Sequence, residues 1–296
     1  MSLTDIVQFG NILCQFDHFG TGIFNDIWSW KVDPYRRIAR TEKPMQLMIG
    51  NAYSAVPDAD MLLHEEYSGF FKRQIFQLAD GGTLWSFVRS RNGEIYLQYM
   101  VNSSGNQIQL VMDSTQTAGH LAFEYLGLII PYVLLNHQTL TFHGVLMEHH
   151  GKGIIISAPS GTGKTTHARM WRDTRNALII NGDRATCQKM DGIWTGFGLP
   201  WSGTSGEQIN RRVPITAIVV LERGDINQAQ QITKPLEAFT SLLPHIQYPS
   251  WDIGLAGKAM DLLDDFLQEI PVIRLRCRPE PEAVDILEKV IETLQN

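Results

Sequence analysis

The sequence has little of what marks secreted or membrane proteins. Its 296 residues include only three cysteines: Cys14, Cys187 and Cys277. This odd number of widely spaced cysteines fits a reducing compartment and argues against a disulfide framework or a cysteine-based zinc module. The most apolar stretch covers residues 121–135 and is interrupted by Glu124 and Pro131. It is too short and too broken to span a bilayer.

Blocks of like charge and targeting signals are also missing. The 25 basic and 31 acidic side chains leave a net charge of −6, and no run of lysine or arginine occurs. This balance disfavours nucleic acid as a partner. The first five residues lack a basic region followed by an apolar core, so we expect no signal peptide. The sequence predicts a cytoplasmic protein that binds neither membranes nor nucleic acid.

What is present is an ordinary globular composition, 44% hydrophobic and 19% charged, at a length typical of two domains. Signals of secondary structure are weak until about Gly81. Three segments separated by turn residues then predict an antiparallel meander at 84–90, 95–101 and 108–112. We therefore expect a β-rich, α+β domain at residues 1–117, to which the sequence assigns no role.

Residues 118–296 predict a separate α/β domain. Helices are expected at 118–135, 164–173, 235–243 and 256–268 and from 280 onward. Strands are expected at 140–147, 153–157, 177–180, 215–221 and 272–277. This alternation of strands with helices is typical of an α/β fold.

A glycine-rich loop joins the expected strand 153–157 to the expected helix 164–173. Residues 158–165 read Ala-Pro-Ser-Gly-Thr-Gly-Lys-Thr, which fits the Walker A pattern of a phosphate-binding loop. In such a loop backbone N–H groups surround the phosphates, the lysine bridges the β- and γ-phosphates, and the hydroxyl after it ligates Mg²⁺. The alternative is a plain turn between strand and helix. The pattern predicts that the following residues bind ATP: Ser160, Gly161, Thr162, Gly163, Lys164, Thr165 and Thr166.

Two carboxylates follow apolar strands of the same predicted domain. Asp183 lies just beyond strand 177–180, at the edge where open α/β sheets bind ligands. It can hold Mg²⁺ together with Thr165, or accept the proton of an attacking hydroxyl. Alternatively, it is a turn residue of the segment 181–184. Glu222 ends strand 215–221 and is a candidate metal ligand by the same reasoning.

These residues together resemble a known family. His143-Gly-Val-Leu on a strand, the loop 160–165 and a carboxylate after the next strand are similar to the catalytic domain of HPr serine kinases/phosphorylases. The loop is also similar to that of phosphoenolpyruvate carboxykinases, which share that nucleotide-binding core. The resemblance covers residues 118–290 and implies a P-loop-containing, HPr-kinase/carboxykinase-like catalytic domain.

The resemblance implies roles for individual residues. Asp183 would accept the proton of the acceptor hydroxyl, and His143 would lie beside it and tune it. ATP and Mg²⁺ would be the cofactors, a protein or peptide the substrate, and a homo-oligomer the assembly. The relatives carry two adjacent aspartates, whereas here Gly182 precedes the single Asp183.

Several other residues could take part in binding or chemistry. Arg211 and Arg212 are candidates for the cation that stabilises the transferring phosphoryl group, or are solvated loop residues. Segment 201–207 is a second glycine-rich loop that could hold the acceptor, cover the triphosphate or lie on the surface. Arg274, Arg276 and Arg278 share one face of a strand, which suits an anionic ligand or a solvated surface.

The sequence thus predicts an ATP- and Mg²⁺-dependent kinase. Its catalytic residues would be Asp183, His143, Lys164 and Arg211, and its metal ligands Thr165, Asp183 and Glu222. The acceptor would be a Ser or Thr hydroxyl of a protein or peptide, or a small molecule. A carboxykinase acting on oxaloacetate and a non-catalytic nucleotide-binding regulator are the alternatives.

Overall fold

The computed structural model shows a mixed α/β fold with two eight-stranded sheets. It describes residues 4–17, 25–37, 47–50, 61–69, 71–113 and 119–294. The chain divides into two compact units, Met1–Asn136 and His137–Asn296, called here the N-terminal and the C-terminal unit. Each unit contains one of the two sheets.

The N-terminal unit is built on a sheet in the strand order β1-β2-β3-β8-β7-β6-β5-β4. Its strands are β1 (Thr4–Phe9), β2 (Ile12–Asp17), β3 (Leu47–Gly50), β4 (Met61–Ser68), β5 (Phe71–Gln77), β6 (Thr83–Arg89), β7 (Ile95–Val101) and β8 (Gln107–Asp113). A short helix, α1 (Asn25–Ile27), follows β2, and a longer one, α2 (Gly119–Leu134), follows β8. Strands β6, β7 and β8 form the antiparallel meander that the sequence predicts.

Helix α2 contacts the sheet of the N-terminal unit. The Tyr99 hydroxyl donates to the Ala122 carbonyl at 2.8 Å, and the rings of Phe87 and Tyr125 stack with centroids 4.6 Å apart. The boundary between the two units therefore follows Asn136. This boundary lies after helix α2. The division expected from the sequence, at residue 117, lies before that helix.

Helix α2 and the residues after it, Gly119–His137, are long and apolar enough to cross a membrane by length and composition alone. Core helices of globular proteins pass the same test. Most of this segment is buried, and its aromatic side chains pack on those of the sheet. These contacts favour a core helix.

Two long strands organise the sheet of the C-terminal unit, because each pairs with different strands at its two ends. Its strands are β9 (Thr139–His149), β10 (Lys152–Ser157), β11 (Leu178–Asn181), β12 (Arg184–Met190), β13 (Ile193–Phe197), β14 (Arg212–Arg223), β15 (Gln228–Gln231) and β16 (Val272–Cys277). One end of β9 pairs with β12 and its other end with β10 and β11. One end of β14 pairs with β13 and the other, in parallel, with β10 and β16. The carboxyl ends of β10, β14 and β16 therefore meet at one edge of the sheet.

Four helices cover this sheet: α3 (Lys164–Arg175), α4 (Pro235–Leu242), α5 (Ile253–Glu269) and α6 (Glu282–Thr293). Helices α3 and α6 share a hydrophobic core with β10, β14 and β16, and Trp171 and Leu287 are buried in it. Phe266 of α5 packs on Phe142 and Trp194, with ring centroids 5.3 and 5.1 Å away. The loops that follow β10, β14 and β16 lie at this carboxyl edge, where they can form a site.

Candidate functional site

The glycine-rich loop 158–163 follows β10 and leads directly into α3. Gly161 and Gly163 have φ values of +77° and +123°, which residues with a Cβ rarely adopt. No side chain caps the N-terminus of α3. The first N–H groups of a helix have no partner within the helix, so this end presents backbone donors and a partial positive charge.

A cleft of about 440 Å³ opens in front of this helix end, and we call it the first cleft. Six of the seven predicted ATP-binding residues line it: Ser160, Gly161, Gly163, Lys164, Thr165 and Thr166. Thr162 instead lines a separate cleft on the other side of the loop. His143 and Asp183 also line the first cleft, so the structure brings together three of the four predicted catalytic residues.

Lys164 is nearly buried, with 8% of its surface exposed. Its Nζ donates to the Ala158 carbonyl at 2.8 Å and lies 3.0 Å from His143 Nε2. Burial lowers the pKa of Lys164, and the negative charge of Asp183 opposes that shift. The ammonium group is thereby held between the loop and the strand that carries His143.

His143 connects Lys164 to Asp183. An ammonium group has no lone pair, so His143 Nε2 accepts, and a neutral ring then carries its proton on Nδ1. That Nδ1 lies 3.5 Å from Asp183 Oδ1. Burial and the charge of Lys164 lower the pKa of His143, while Asp183 acts in the opposite direction. The neutral imidazole is therefore the favoured form, and its Nδ1 faces the Asp183 carboxylate.

Asp183 lies in a turn that the buried side chain of Asn181 holds. Asn181 Oδ1 accepts the N–H groups of Asp183 and Arg184 at 3.1 and 2.8 Å. Its Nδ2 donates to the carbonyls of Leu199 and Trp201 at 3.1 and 3.0 Å. One amide thus fixes both the turn that carries Asp183 and the start of the loop 201–207.

The loop 201–207 packs closely against this turn. A Cβ on Gly203 would lie 2.5 Å from Asp183 Oδ2, and a Cβ on Gly182 would lie 2.3 Å from Ser205 Oγ. Ser205 Oγ in turn donates to the Ser202 carbonyl at 2.6 Å. Ser205 therefore closes the space beside Gly182, and only glycine fits there. Thr204 and Ser205 add hydroxyl groups to the first cleft.

The structure does not bring Arg211 into the first cleft. Its guanidinium makes two hydrogen bonds to the Glu148 carboxylate, one of them 2.7 Å long. Glu148 lies five residues beyond His143 on β9, which is about 17 Å along the strand. The structure therefore does not bring Arg211 together with Lys164, His143 and Asp183.

Glu222 also lies outside the first cleft. Its carboxylate accepts from Arg274 Nε at 3.0 Å and from Arg276 Nη2 at 3.0 Å. Two guanidinium groups thus already bind it. The structure therefore does not bring Glu222 together with Thr165 and Asp183. The two arginines of β16, Arg274 and Arg276, are partners of Glu222.

Three further residues near the site were not found from the sequence. Arg169 lines the first cleft, and its spacing of i+4 from Thr165 on α3 was a usable signal. The sequence gives no signal for Asn181, because an asparagine in a turn segment looks the same whether its side chain is buried or exposed. His245 is buried, and its pKa is lowered by burial and by the nearby charges of Lys164 and His143. The bridge between Ile246 and Phe142 and the hydrogen bond from Gln247 N–H to the Thr141 carbonyl place it there.

Comparison with known proteins assigns no family to this chain. No protein-family model and no curated protein matches it. A solved structure, the HPr(Ser) kinase/phosphatase from Coxiella burnetii, is similar with a TM-score of 0.32 and 10% identity over 53% of this chain and 99% of the other. Values this low assign no activity, so the function of the chain must be inferred from its first cleft.

Proposed function

We propose that this protein is an ATP-dependent kinase that transfers the γ-phosphoryl group to a hydroxyl. The observation that carries the proposal is the first cleft itself. It brings Lys164, His143 and Asp183 to the uncapped N-terminus of α3, among the hydroxyl groups of the glycine-rich loop. A site of this kind offers donors for phosphates and a carboxylate that can take a proton within one cavity.

The loop and Lys164 would bind the triphosphate. Gly161 and Gly163 keep the loop free of side chains where the phosphates approach, and α3 supplies N–H donors. Lys164 supplies a fixed positive charge, which offsets the charge of the phosphates in a protein whose net charge is −6. Arg169, which is half exposed at the rim, is the second cation of the first cleft.

Asp183 would act as the base. Its carboxylate accepts the proton of the attacking hydroxyl as the oxygen–phosphorus bond forms and the bond to the β-phosphate breaks. His143, kept neutral by its surroundings, orients this carboxylate through Nδ1. Lys164 offsets the negative charge that develops on the phosphoryl oxygens.

The residues of the first cleft fit a magnesium ion. The Thr165 hydroxyl and the Asp183 carboxylate are hard oxygen donors, and both residues line the same cavity. This suits Mg²⁺, which commonly takes one or two protein oxygens and completes its shell with phosphate and water. When bound, the ion would neutralise charge on the β- and γ-phosphates.

The acceptor that we propose is a Ser or Thr hydroxyl of a protein or peptide. Thr204 and Ser205 place the loop 201–207 at the first cleft, next to Asp183, where an acceptor would enter. The cytoplasm is the proposed compartment, since the three cysteines are buried and form no disulfide.

Transfer of labelled phosphate tests this proposal. The intact protein is incubated with Mg²⁺ and γ-labelled ATP in the presence of a library of Ser- and Thr-containing peptides. We expect label in peptide with the wild type and with Arg211→Ala, whose side chain lies outside the first cleft. We expect none with Asp183→Asn, which keeps the shape of the side chain. Equal transfer by Asp183→Asn and the wild type would refute the proposed role of this residue.

A nucleotide-binding regulator without catalysis is the second candidate. The close contact of Gly182 with Ser205 favours it, because this contact leaves the turn with one carboxylate. Such a protein would bind ATP and release no ADP, with or without acceptor. Measuring ADP release in the same experiment separates the two candidates.

A further inference from the structure

The loop 201–207 brings a hydroxyl group of this chain to the proposed base. Thr204 of this loop lines the first cleft together with Lys164 and Asp183. Gly203, the residue before it, packs directly on the carboxylate, since a Cβ on Gly203 would lie 2.5 Å from Asp183 Oδ2. A candidate acceptor is therefore already present in the cleft that we propose for the triphosphate.

Both ends of the loop 201–207 are fixed to the turn that carries the proposed base. At the start of the loop, the Trp201 carbonyl accepts from the buried Asn181 side chain at 3.0 Å. At its end, the Glu207 carbonyl accepts the Gly182 N–H at 3.0 Å. Asn181 and Gly182 both belong to that turn, so the middle of the loop is held beside it.

Two glycines shape the middle of the loop. Residues Gly203–Ser205 form a single turn of 3-10 helix. Gly203 and Gly206 have φ values of +55° and +68°, in the left-handed region that residues with a Cβ rarely adopt. The chain can therefore enter and leave this turn abruptly, and Thr204 within it is exposed.

Thr204 has the available hydroxyl of this loop. The Ser202 hydroxyl donates to Gln208 Oε1 at 2.9 Å, and the Ser205 hydroxyl donates to the Ser202 carbonyl at 2.6 Å. Within the part of the chain that the structure describes, the Thr204 hydroxyl has no hydrogen-bond partner. Its proton is free to pass to a base, whereas the two serines would first have to break a hydrogen bond.

We infer that the protein phosphorylates Thr204 of its own chain and that the phosphate then occupies the first cleft. This inference rests on the proposed function, because ATP is the phosphoryl donor. A bond forms between Thr204 Oγ1 and the γ-phosphorus while the bond from that phosphorus to the β–γ bridging oxygen breaks. Asp183 takes the proton of the hydroxyl, and ADP leaves with the bridging oxygen.

The product limits further binding of ATP. A phosphothreonine carries a charge of about −1.5 to −2 at pH 7 and pairs with cationic side chains nearby. Lys164 and Arg169 line the first cleft with Thr204 and are available for this pairing. They are also the cations that we propose for the triphosphate, so the modified chain competes with ATP for its own site.

Mass spectrometry of the full chain tests the inference. Phosphatase-treated protein is incubated with Mg²⁺ and ATP without any acceptor, and peptide mapping locates the phosphorylated residue. The variants are Thr204→Val, which replaces the hydroxyl with a methyl group, and Thr204→Ser, which keeps a hydroxyl. Thr240→Val is the matched control, because Thr240 is an exposed threonine of α4 that does not line the first cleft. Thermal unfolding checks that each variant folds.

We expect one phosphoryl group per chain, at position 204, in the wild type, in Thr240→Val and in Thr204→Ser. Thr204→Val should carry none. Because the transfer occurs within one chain, the fraction modified per unit time should stay the same when the protein concentration is raised about tenfold. The phosphorylated wild type should bind Mg²⁺–ATP about tenfold more weakly than the unmodified protein.

Three results would overturn the inference: phosphate at another residue, a rate that rises in proportion to protein concentration, or an unchanged affinity for ATP after modification. The library of Ser- and Thr-containing peptides separates these results from failure of the proposed function. If the wild type phosphorylates library peptides but not Thr204, the inference fails and the proposed function stands. If it phosphorylates neither, both fail.

Discussion

At the scale of single residues, His167 couples the stability of the C-terminal unit to pH. Burial lowers the pKa of His167 to about 4, from 6.5 in an exposed histidine. Between these two values the unfolded chain binds a proton that the folded chain does not. Stability therefore falls as the pH falls through this window, and the full shift corresponds to about 3 kcal/mol.

Urea unfolding of the wild type and His167→Phe at about pH 7 and about pH 5 checks this effect. Phenylalanine keeps a flat ring in the core and cannot be protonated. We expect the variant to lose less stability between the two pH values than the wild type does. An equal loss in both proteins would show that the acid sensitivity comes from other histidines.

The contact between Gly182 and Ser205 predicts a strong coupling between two residues. Because a Cβ on Gly182 would lie 2.3 Å from Ser205 Oγ, Gly182→Ala must displace the loop 201–207. We expect it to cost about 1–3 kcal/mol of unfolding free energy, as overpacking does. Ser205→Gly in the same chain removes the obstacle, so the double variant should recover most of that loss. Additive effects in this double-mutant cycle would contradict the packing described here.

The sequence could predict individual site residues where a motif sets their spacing. Lys164 and the loop follow from the Walker A pattern, and Asp183 follows from its place after a strand. The partners of Arg211 and Glu222 could not be predicted, since Glu148 and Arg276 are distant along the chain and meet these residues only across the sheet.

At the scale of elements, the glycine-rich loop depends on backbone conformation rather than on packing. Gly163 has a φ of +123°, and a Cβ added to it would meet no atom within 4 Å. Gly163→Ala should therefore act through backbone strain, which costs about 1–3 kcal/mol, and should misplace the donors at the start of α3. We expect weaker binding of tripolyphosphate together with a lower unfolding free energy.

Gly257→Ala is the matched control for this substitution. Gly257 lies in α5 without a positive φ, and a Cβ there also meets no atom within 4 Å. In a helix, alanine is favoured over glycine by about 1 kcal/mol, so this variant should be as stable as the wild type or more stable. If both substitutions had the same effect, the strain assigned to Gly163 would be absent.

The predicted elements that were found share clear patterns. The meander 84–112 and the strands 153–157 and 215–221 are apolar runs bounded by turn residues, and they are strands. Strand β12 was missed because its buried face carries polar side chains, and Thr186 is paired there with Thr141 at 3.3 Å. Strand β4 was missed because it is an exposed edge strand without alternation.

At the scale of the whole molecule, the position of helix α2 decides where the chain can be divided. Ala122, Tyr125 and Tyr132 of this helix contact the sheet of the N-terminal unit. The sequence alone could not show to which unit α2 belongs. An apolar helix that lies between two domains along the chain can pack against either of them.

A comparison of two fragments tests this boundary. Residues 118–296 would carry α2 without the sheet of the N-terminal unit, whereas residues 137–296 would omit it. We expect the longer fragment to bind more of a dye that reports exposed apolar surface, and to aggregate at lower concentration. Equal dye binding by the two fragments would show that α2 belongs with the C-terminal unit.

The central claim is that one cleft binds the triphosphate through Lys164 and performs chemistry through Asp183. The most direct test measures two quantities, the affinity for Mg²⁺–ATP and the rate of γ-phosphate transfer, in Lys164→Met and in Asp183→Asn. We expect Lys164→Met, which keeps the length of the side chain, to weaken ATP binding by about tenfold or more, because it removes the buried positive charge. We expect Asp183→Asn to bind ATP nearly as the wild type does and to transfer no phosphate. Unchanged ATP affinity in Lys164→Met, or normal transfer by Asp183→Asn, would contradict the account.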